Sequence, residues 1–297
     1  MKLSKIGIIG VPYSVSSFGS GADKSPEALR KAGIVDALRK ISVVVEDLGD
    51  LETELPLPDI SNPKLRNPGQ VVVLCRVLAK RIQCTIEDGY FPFVIGGDDS
   101  ILMGVIEGLK RTLGDRIGLI YMDAHGDFNV PETTPSGIIG GMDVAITAGR
   151  GARELAEMFD YSPILPEENI VLYGVRDLDE IEKMALTESK VKVYTRKALK
   201  TLGVEQAVKK ILRDLQHKCD RIFLHVDIDV LDASVISAQA LTVPDGLSSK
   251  EFQKTLQVLV ESNKLCGIAV MMFDAPKDRG GKEARKLVNL VTNALRG

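Results

Sequence analysis

Ile117-Gly118-Leu119-Ile120-Tyr121-Met122 runs directly into Asp123-Ala124-His125-Gly126-Asp127, and the reading of this stretch decides the fold. A strand with no alternating polar face is buried on both sides, as the central strands of parallel sheets are. Successive strand side chains point to opposite faces, so Asp123, His125 and Asp127 converge at its end. Further along, Ile222-Phe223-Leu224-His225-Val226 leads in the same way into Asp227-Ile228-Asp229. Carboxylates and an imidazole packed this densely repel one another unless cations sit between them. Oxygen ligands with one nitrogen suit hard divalent ions, manganese first among them. A single Asp-x-Asp at a strand end is ordinary turn or cap chemistry. Asp-x-His-x-Asp joined by a second pair, each behind a buried-type strand, marks a metalloenzyme.

Outward from these two strands, short β-type runs alternate with longer helical ones. The spacing predicts strands at 5–11, 42–46, 91–95, 116–122, 169–175, 190–194, 221–227 and 266–273. Helical periodicity covers 25–38, 69–87, 101–113, 152–159, 178–186, 204–217, 248–262 and 281–295. Ser25 precedes Pro26 at a first helical turn, and Ser248 has Glu251 at capping-box spacing. Such alternation gives an α/β fold, a mostly parallel sheet with helices on both faces. Two stretches are irregular: 49–68, rich in proline, and 126–151, which follows the first acidic cluster and should wall the site beyond the strand ends. No composition break, repeat or linker divides residues 1–297, so one domain is expected.

Composition excludes several classes. Hydrophobic content of 44% with 27% charged residues is that of a globular chain with a sizeable core. The net charge of -3, with Lys and Arg dispersed, argues against nucleic-acid and anionic-membrane partners. The N-terminus reads as running straight into a strand-like segment, so no signal peptide is expected, and no apolar run is long enough to span a bilayer. Cys75, Cys84, Cys219 and Cys266 lack zinc-type spacing and read as reduced thiols. The expected address is the cytoplasm.

Three further segments line up with the acidic clusters: Gly21-Ala22-Asp23-Lys24-Ser25-Pro26-Glu27 after Gly10-Val11-Pro12, Gly96-Gly97-Asp98-Asp99-Ser100, and Asn129-Val130-Pro131-Glu132-Thr133-Thr134-Pro135-Ser136-Gly137. Together with 123–127 and 227–232 they resemble the arginase family of ureohydrolases, in order and over nearly the whole chain. The resemblance implies a three-layer α/β/α domain with two manganese ions, or one if a ligand is lost. It implies activation of water against the guanidinium carbon of arginine, giving urea and ornithine, and self-association into trimers or hexamers. Carried over residue by residue, the metal ligands fall on Asp99, Asp123, His125, Asp127, Asp227 and Asp229. The contacts to an amino-acid substrate fall on Asn129, Thr134, Ser136 and Asp179. Asp127 and His225 are the candidates for catalysis.

Departures from the family pattern shape the functional reading. Where the family has Gly-Gly-Asp-His-Ser, this chain has Asp99 for the histidine. Five ligand aspartates then face the four positive charges of two divalent ions, and extra negative charge weakens the ions as Lewis acids. Gly140 stands in place of the family's proton-shuttling histidine, a role worth about 10²–10⁴-fold. Phe273 aligns with the glutamate that holds the guanidinium, and Asp274 should face away from it on a regular strand. His225 shares the face of Asp227, roughly 7 Å further into the sheet. It is expected to be satisfied by backbone; the alternatives are a partner to a ligand carboxylate or a replacement base. His217, among Lys and Arg, is expected on the surface.

These residues support a manganese-dependent C–N hydrolase acting on a guanidino, amidino or ureido amino acid, with arginine as the default. A weakly active or inactive homologue that binds an amino acid is the alternative. Single-metal deacetylation at Asp123, His125 and Asp227 is disfavoured by the presence of Asp127 and Asp229.

Overall fold

The alternation of β-type and helical runs produces one sheet. The computed structural model describes residues 5–17, 21–42 and 44–296. Its strands are β1 (Lys5–Gly10), β2 (Val44–Asp50), β3 (Phe91–Ile95), β4 (Ile117–Met122), β5 (Ile170–Tyr173), β6 (Lys192–Tyr194), β7 (Arg221–Asp227) and β8 (Leu265–Met271). They form an eight-stranded sheet in the order β2-β1-β3-β8-β7-β4-β5-β6, with every neighbouring pair parallel. The two strands that carry the acidic clusters, β4 and β7, are adjacent at the middle of the sheet.

Strand alternation divides the core into two layers. Leu119, Tyr121, Phe223, Ala269 and Met271 face one side, and Ile120, Met122, Leu224, Val226, Ile268 and Val270 the other. The first layer is covered by α3 (Pro68–Glu87), α4 (Leu102–Leu113), α5 (Asp143–Thr147), α6 (Arg153–Ala156) and α7 (Glu180–Glu188). The second is covered by α1 (Ser25–Lys31), α2 (Ile34–Arg39), α8 (Arg196–Leu202), α9 (Val204–Leu215), α10 (Ser249–Glu261) and α11 (Lys282–Ala294). The expected three-layer α/β/α fold is present. Ser248 and Glu251 form the capping box read from their spacing. No helix among the described residues is long and apolar enough to cross a membrane.

Local expectations needed correction in several places. The helix expected over 25–38 is two helices, because Gly33 adopts φ 88° between them. The strand placed at 42–46 begins at Val44 and continues to Asp50; Val43 lies outside the described residues. The helix expected over 152–159 is confined to Arg153–Ala156, and α5 and α8 were not expected at all. Both missed helices are under ten residues, too short for periodicity to stand out.

Candidate active site

Four neighbouring strands, β3, β8, β7 and β4, end on the same edge, and the chain leaving each delivers side chains to one pocket of about 240 Å³. This is the position expected for a ligand site in an open parallel sheet. After β3, Gly96 and Gly97 adopt φ 80° and 84°, and a Cβ on Gly96 would lie 2.4 Å from the Pro26 ring. Only glycine permits that turn. It lets Asp98 cap the following 3-10 turn by accepting from Ser100 N at 3.2 Å, and it sets Asp99 on the pocket wall.

Asp123 and Asp227 stand at the ends of β4 and β7, where the parallel register holds them side by side. Asp123 Oδ1 accepts from His125 N at 2.6 Å and lies 3.2 Å from His125 Nδ1, which is 3.1 Å from Asp229 Oδ2. Asp229 Oδ1 accepts from Ala124 N at 3.0 Å, and Asp227 Oδ1 from Asp229 N at 2.7 Å. Asp127, at φ 47°, turns back so that its Oδ2 accepts from Tyr121 Oη at 2.7 Å. A non-glycine residue in this conformation is strained and is held by its surroundings.

Two sets of side chains are close enough to hold a cation: Asp123, His125 and Asp229, and Asp99, Asp123 and Asp227, the ligand atoms of each lying within 4.8 Å of one another. Asp123 belongs to both, and its buried Oδ2 has no hydrogen-bond partner. Burial, followed by the charges of neighbouring aspartates, drives Asp99, Asp127 and Asp227 well above the carboxylate range. Asp229 is pushed to about 6 by burial and the charge of Asp123. Burial alone would lower His125, but its bonds to Asp123 and Asp229 raise it to about 12. Such a set ionises fully only with cations among it, and an oxygen-rich site with one imidazole fits hard divalent ions.

Beside the cluster, Asn129 Nδ2 donates to Asp179 Oδ2 at 3.1 Å, and Thr134 Oγ1 accepts from Gly137 N at 3.1 Å. Thr134, Ser136, Asn129 and Asp179 all line the pocket. The loop that carries them is braced from outside. Arg66 N donates to Gly137 O at 2.9 Å, and Lys64 Nζ bonds Thr134 O. The irregular, proline-rich stretch beyond β2 therefore supports the pocket wall.

The structure corrects two expectations about individual residues. His225 is fully buried, does not line the pocket and is not satisfied by backbone. Its Nε2 lies 2.8 Å from Asp99 Oδ1, while Nδ1 has no partner. Its ring stacks on Tyr121, its cross-strand partner, with centroids 4.4 Å apart. Without access to the pocket it is no base for a substrate. Phe273, placed at the sequence level opposite a guanidinium, is fully buried in the core instead. Met272 lines the pocket there, because its φ of 60° breaks the strand alternation. Asp274 stays outside, its Oδ1 accepting from Gly21 N at 3.3 Å and its Oδ2 3.3 Å from Lys277.

Gly140 lines the pocket, but the space a side chain would need is filled. A Cβ there would lie 2.9 Å from Ser16 O, and Ser16 is fixed by accepting from Ile139 N at 2.6 Å and donating to Asp98 Oδ2 at 2.7 Å. Gly140→His is therefore expected to cost about 1–3 kcal/mol in chemical denaturation, as overpacking does. A variant as stable as the parent would show that the Ser16 segment yields.

Several site residues escaped the sequence reading. Glu182 lines the pocket, accepts from Phe128 N at 2.8 Å and is pushed by burial to about 7. Its signal was its position three residues after Asp179 at the start of a helix, a capping-box spacing. Asp143, fully buried, lies 3.4 Å from Tyr121 Oη by either oxygen. Ser16 gave no signal.

The fold and site define an arginase-type hydrolase, and the family model described as "Arginase family" matches residues 4–296. The chain belongs to the arginase family, a family of metal-dependent hydrolases. It is 33% identical over 291 residues to the arginase of Bacillus caldovelox, covering 97% of each chain. It is also 33% identical to the arginase of Bacillus subtilis strain 168, covering 98% of this chain and 97% of that one. The crystal structure of arginase from Bacillus cereus superposes with a TM-score of 0.90 at 32% identity, covering 99% of both chains.

Proposed function

We propose that this chain, as a single domain, is a manganese-dependent hydrolase that cleaves a C–N bond of a guanidino or related amidino or ureido amino acid. Arginine, giving ornithine and urea, is the default substrate. The observation that carries the reading is the shared Asp123: two ion-sized sets of ligands meet on it, beside a pocket lined by neutral hydrogen-bonding groups.

In this reading Asp123, His125 and Asp229 hold one ion, Asp99, Asp123 and Asp227 the other, and Asp127 completes the shell. Such ions supply an acidified, oriented water and neutralise developing charge. The protein's own groups do the rest. Asn129, Thr134 and Ser136 offer amide and hydroxyl donors to an α-carboxylate without adding charge. Asp179 and Glu182 face the α-ammonium. Asp127, with Oδ2 bound by Tyr121, leaves Oδ1 for the cluster, where it would either reach an ion or take a proton. Ile138, Leu241 and Met272 give the pocket apolar surface, which favours a distal group less charged than guanidinium. The same apolar surface, together with Gly140, supports the second reading, a homologue that binds an amino acid with little turnover. Self-association into a trimer or hexamer accompanies either reading by resemblance to the family, and the reduced thiols read from the cysteines accord with the cytoplasm.

Elemental analysis of protein reconstituted with manganese, together with urea release from arginine, tests the proposal. About two ions per chain are expected, with urea release that a chelator abolishes and manganese restores. Protein left bare of metal would end the hydrolase reading, and full occupancy without turnover of any guanidino compound would favour the second.

A further inference from the structure

His225 lies on β7 and Asp99 opens the 3-10 turn that follows β3; both are buried, and a 2.8 Å contact between Nε2 and Asp99 Oδ1 joins them. With Asp99 ionised, as a metal ligand is, Nε2 carries the proton and donates to Oδ1; Nδ1 has no partner to compete for that proton. The register makes room for the ring: its neighbours across β7 are Tyr121, on which it stacks, and the small Ala269. His225 belongs to neither of the ion-sized ligand sets, whereas Asp99 belongs to one.

We infer that His225 is a positioning residue that converts Asp99 into a one-oxygen metal ligand, so that the pair stands in for the single imidazole expected at residue 99. The inference rests on the manganese-dependent reading above. A carboxylate differs from an imidazole in two ways that matter to an ion: it has two donor atoms and a full charge. With Oδ1 engaged by His225, Oδ2 is the oxygen freer for an ion, and chelation through both is disfavoured. The N–H bond also draws charge away from the ligand, offsetting the fifth aspartate. Carboxylates and imidazoles that hold metals depend on such outer partners, whose loss typically costs 10–100-fold in affinity.

The test is manganese titration of the metal-free full chain, following free ion by its paramagnetic resonance signal. His225→Phe keeps the aromatic stack and loses the donor; it is expected to weaken one of two sites about 10–100-fold and to leave the other unchanged. His225→Gln, which places an N–H near the same point, should stay within about threefold of the parent, a rescue that a purely structural role would not give. In an Asp99→Ala background, His225→Phe should have no further effect, since the two act as a unit. That double variant also removes the carboxylate that His225→Phe would strand, so its folding where the single variant fails would support the coupling. Parent-like affinities in His225→Phe, equal weakness in His225→Gln, or additive losses in the double variant would each overturn the inference while leaving the hydrolase reading intact. A parent that binds no manganese would instead remove both.

Discussion

Asp123→Asn is expected to fold and yet lose urea release from arginine by at least ~10³-fold, the several kcal/mol that divalent ions contribute to such chemistry. Asp123 is the ligand common to both sets found among the described residues, so this one change disturbs both at once. Its Oδ1 orients His125, and its Oδ2 is the buried oxygen without a partner. An amide in its place turns either an N–H₂ group toward the ions or the wrong group toward His125. Folding should survive, because the substitution removes one of several mutually repelling charges. Thermal unfolding separates the outcomes. Ion at a hundredfold excess over its dissociation constant stabilises a native site by about 2.7 kcal/mol, so manganese should raise the midpoint of the parent and leave the variant unmoved. Parent-like turnover and a parent-like thermal response would remove the acidic cluster from the reaction.

The second large effect concerns two adjacent residues with opposite outcomes. Met272→Glu puts a carboxylate into the pocket at a backbone already in the left-handed region, so no new strain arises. If a guanidinium occupies that end, hydrogen bonds to the new charge contribute about 1.5–3 kcal/mol, or roughly 10–100-fold in kcat/KM for arginine. Phe273→Glu buries a carboxylate in the core where nothing can pair with it, and is expected to cost about 3–5 kcal/mol of stability. Steady-state kinetics on the first and denaturant unfolding on the second provide the check. A stable Phe273→Glu with improved arginine turnover would restore the alignment-based assignment.

Strand number, the central place of the strands carrying Asp123 and Asp227, and the convergence of Asp123, His125, Asp227 and Asp229 were legible because they follow from apolar runs and their period of two. That logic failed where the period itself was broken. Nothing in Met271-Met272-Phe273 signals that a methionine takes φ 60°, since only glycine advertises such a turn. His225 was placed on the correct face, but its partner lies 126 residues away in the turn after β3, a distance that spacing along one segment cannot bridge. Asp143 opens a helix of only five residues and Ser16 sits in an irregular segment; both positions are set by tertiary contacts, and neither stretch is long enough to show a periodicity. The family resemblance supplied Asn129, Thr134, Ser136 and Asp179, which local patterns would have left as turn chemistry.

The bracing of residues 129–137 by the segment after β2 bears on how a small molecule would be received. Arg66 and Lys64 fasten the far side of that loop, and a Cβ on Gly137 would come within 2.0 Å of Pro63 O, so the two segments are in contact. A recognition surface already clamped into shape spends little entropy on being ordered by its guest. Selectivity here is consequently fixed before any encounter, and remodelling it calls for changes in two distant stretches of chain together.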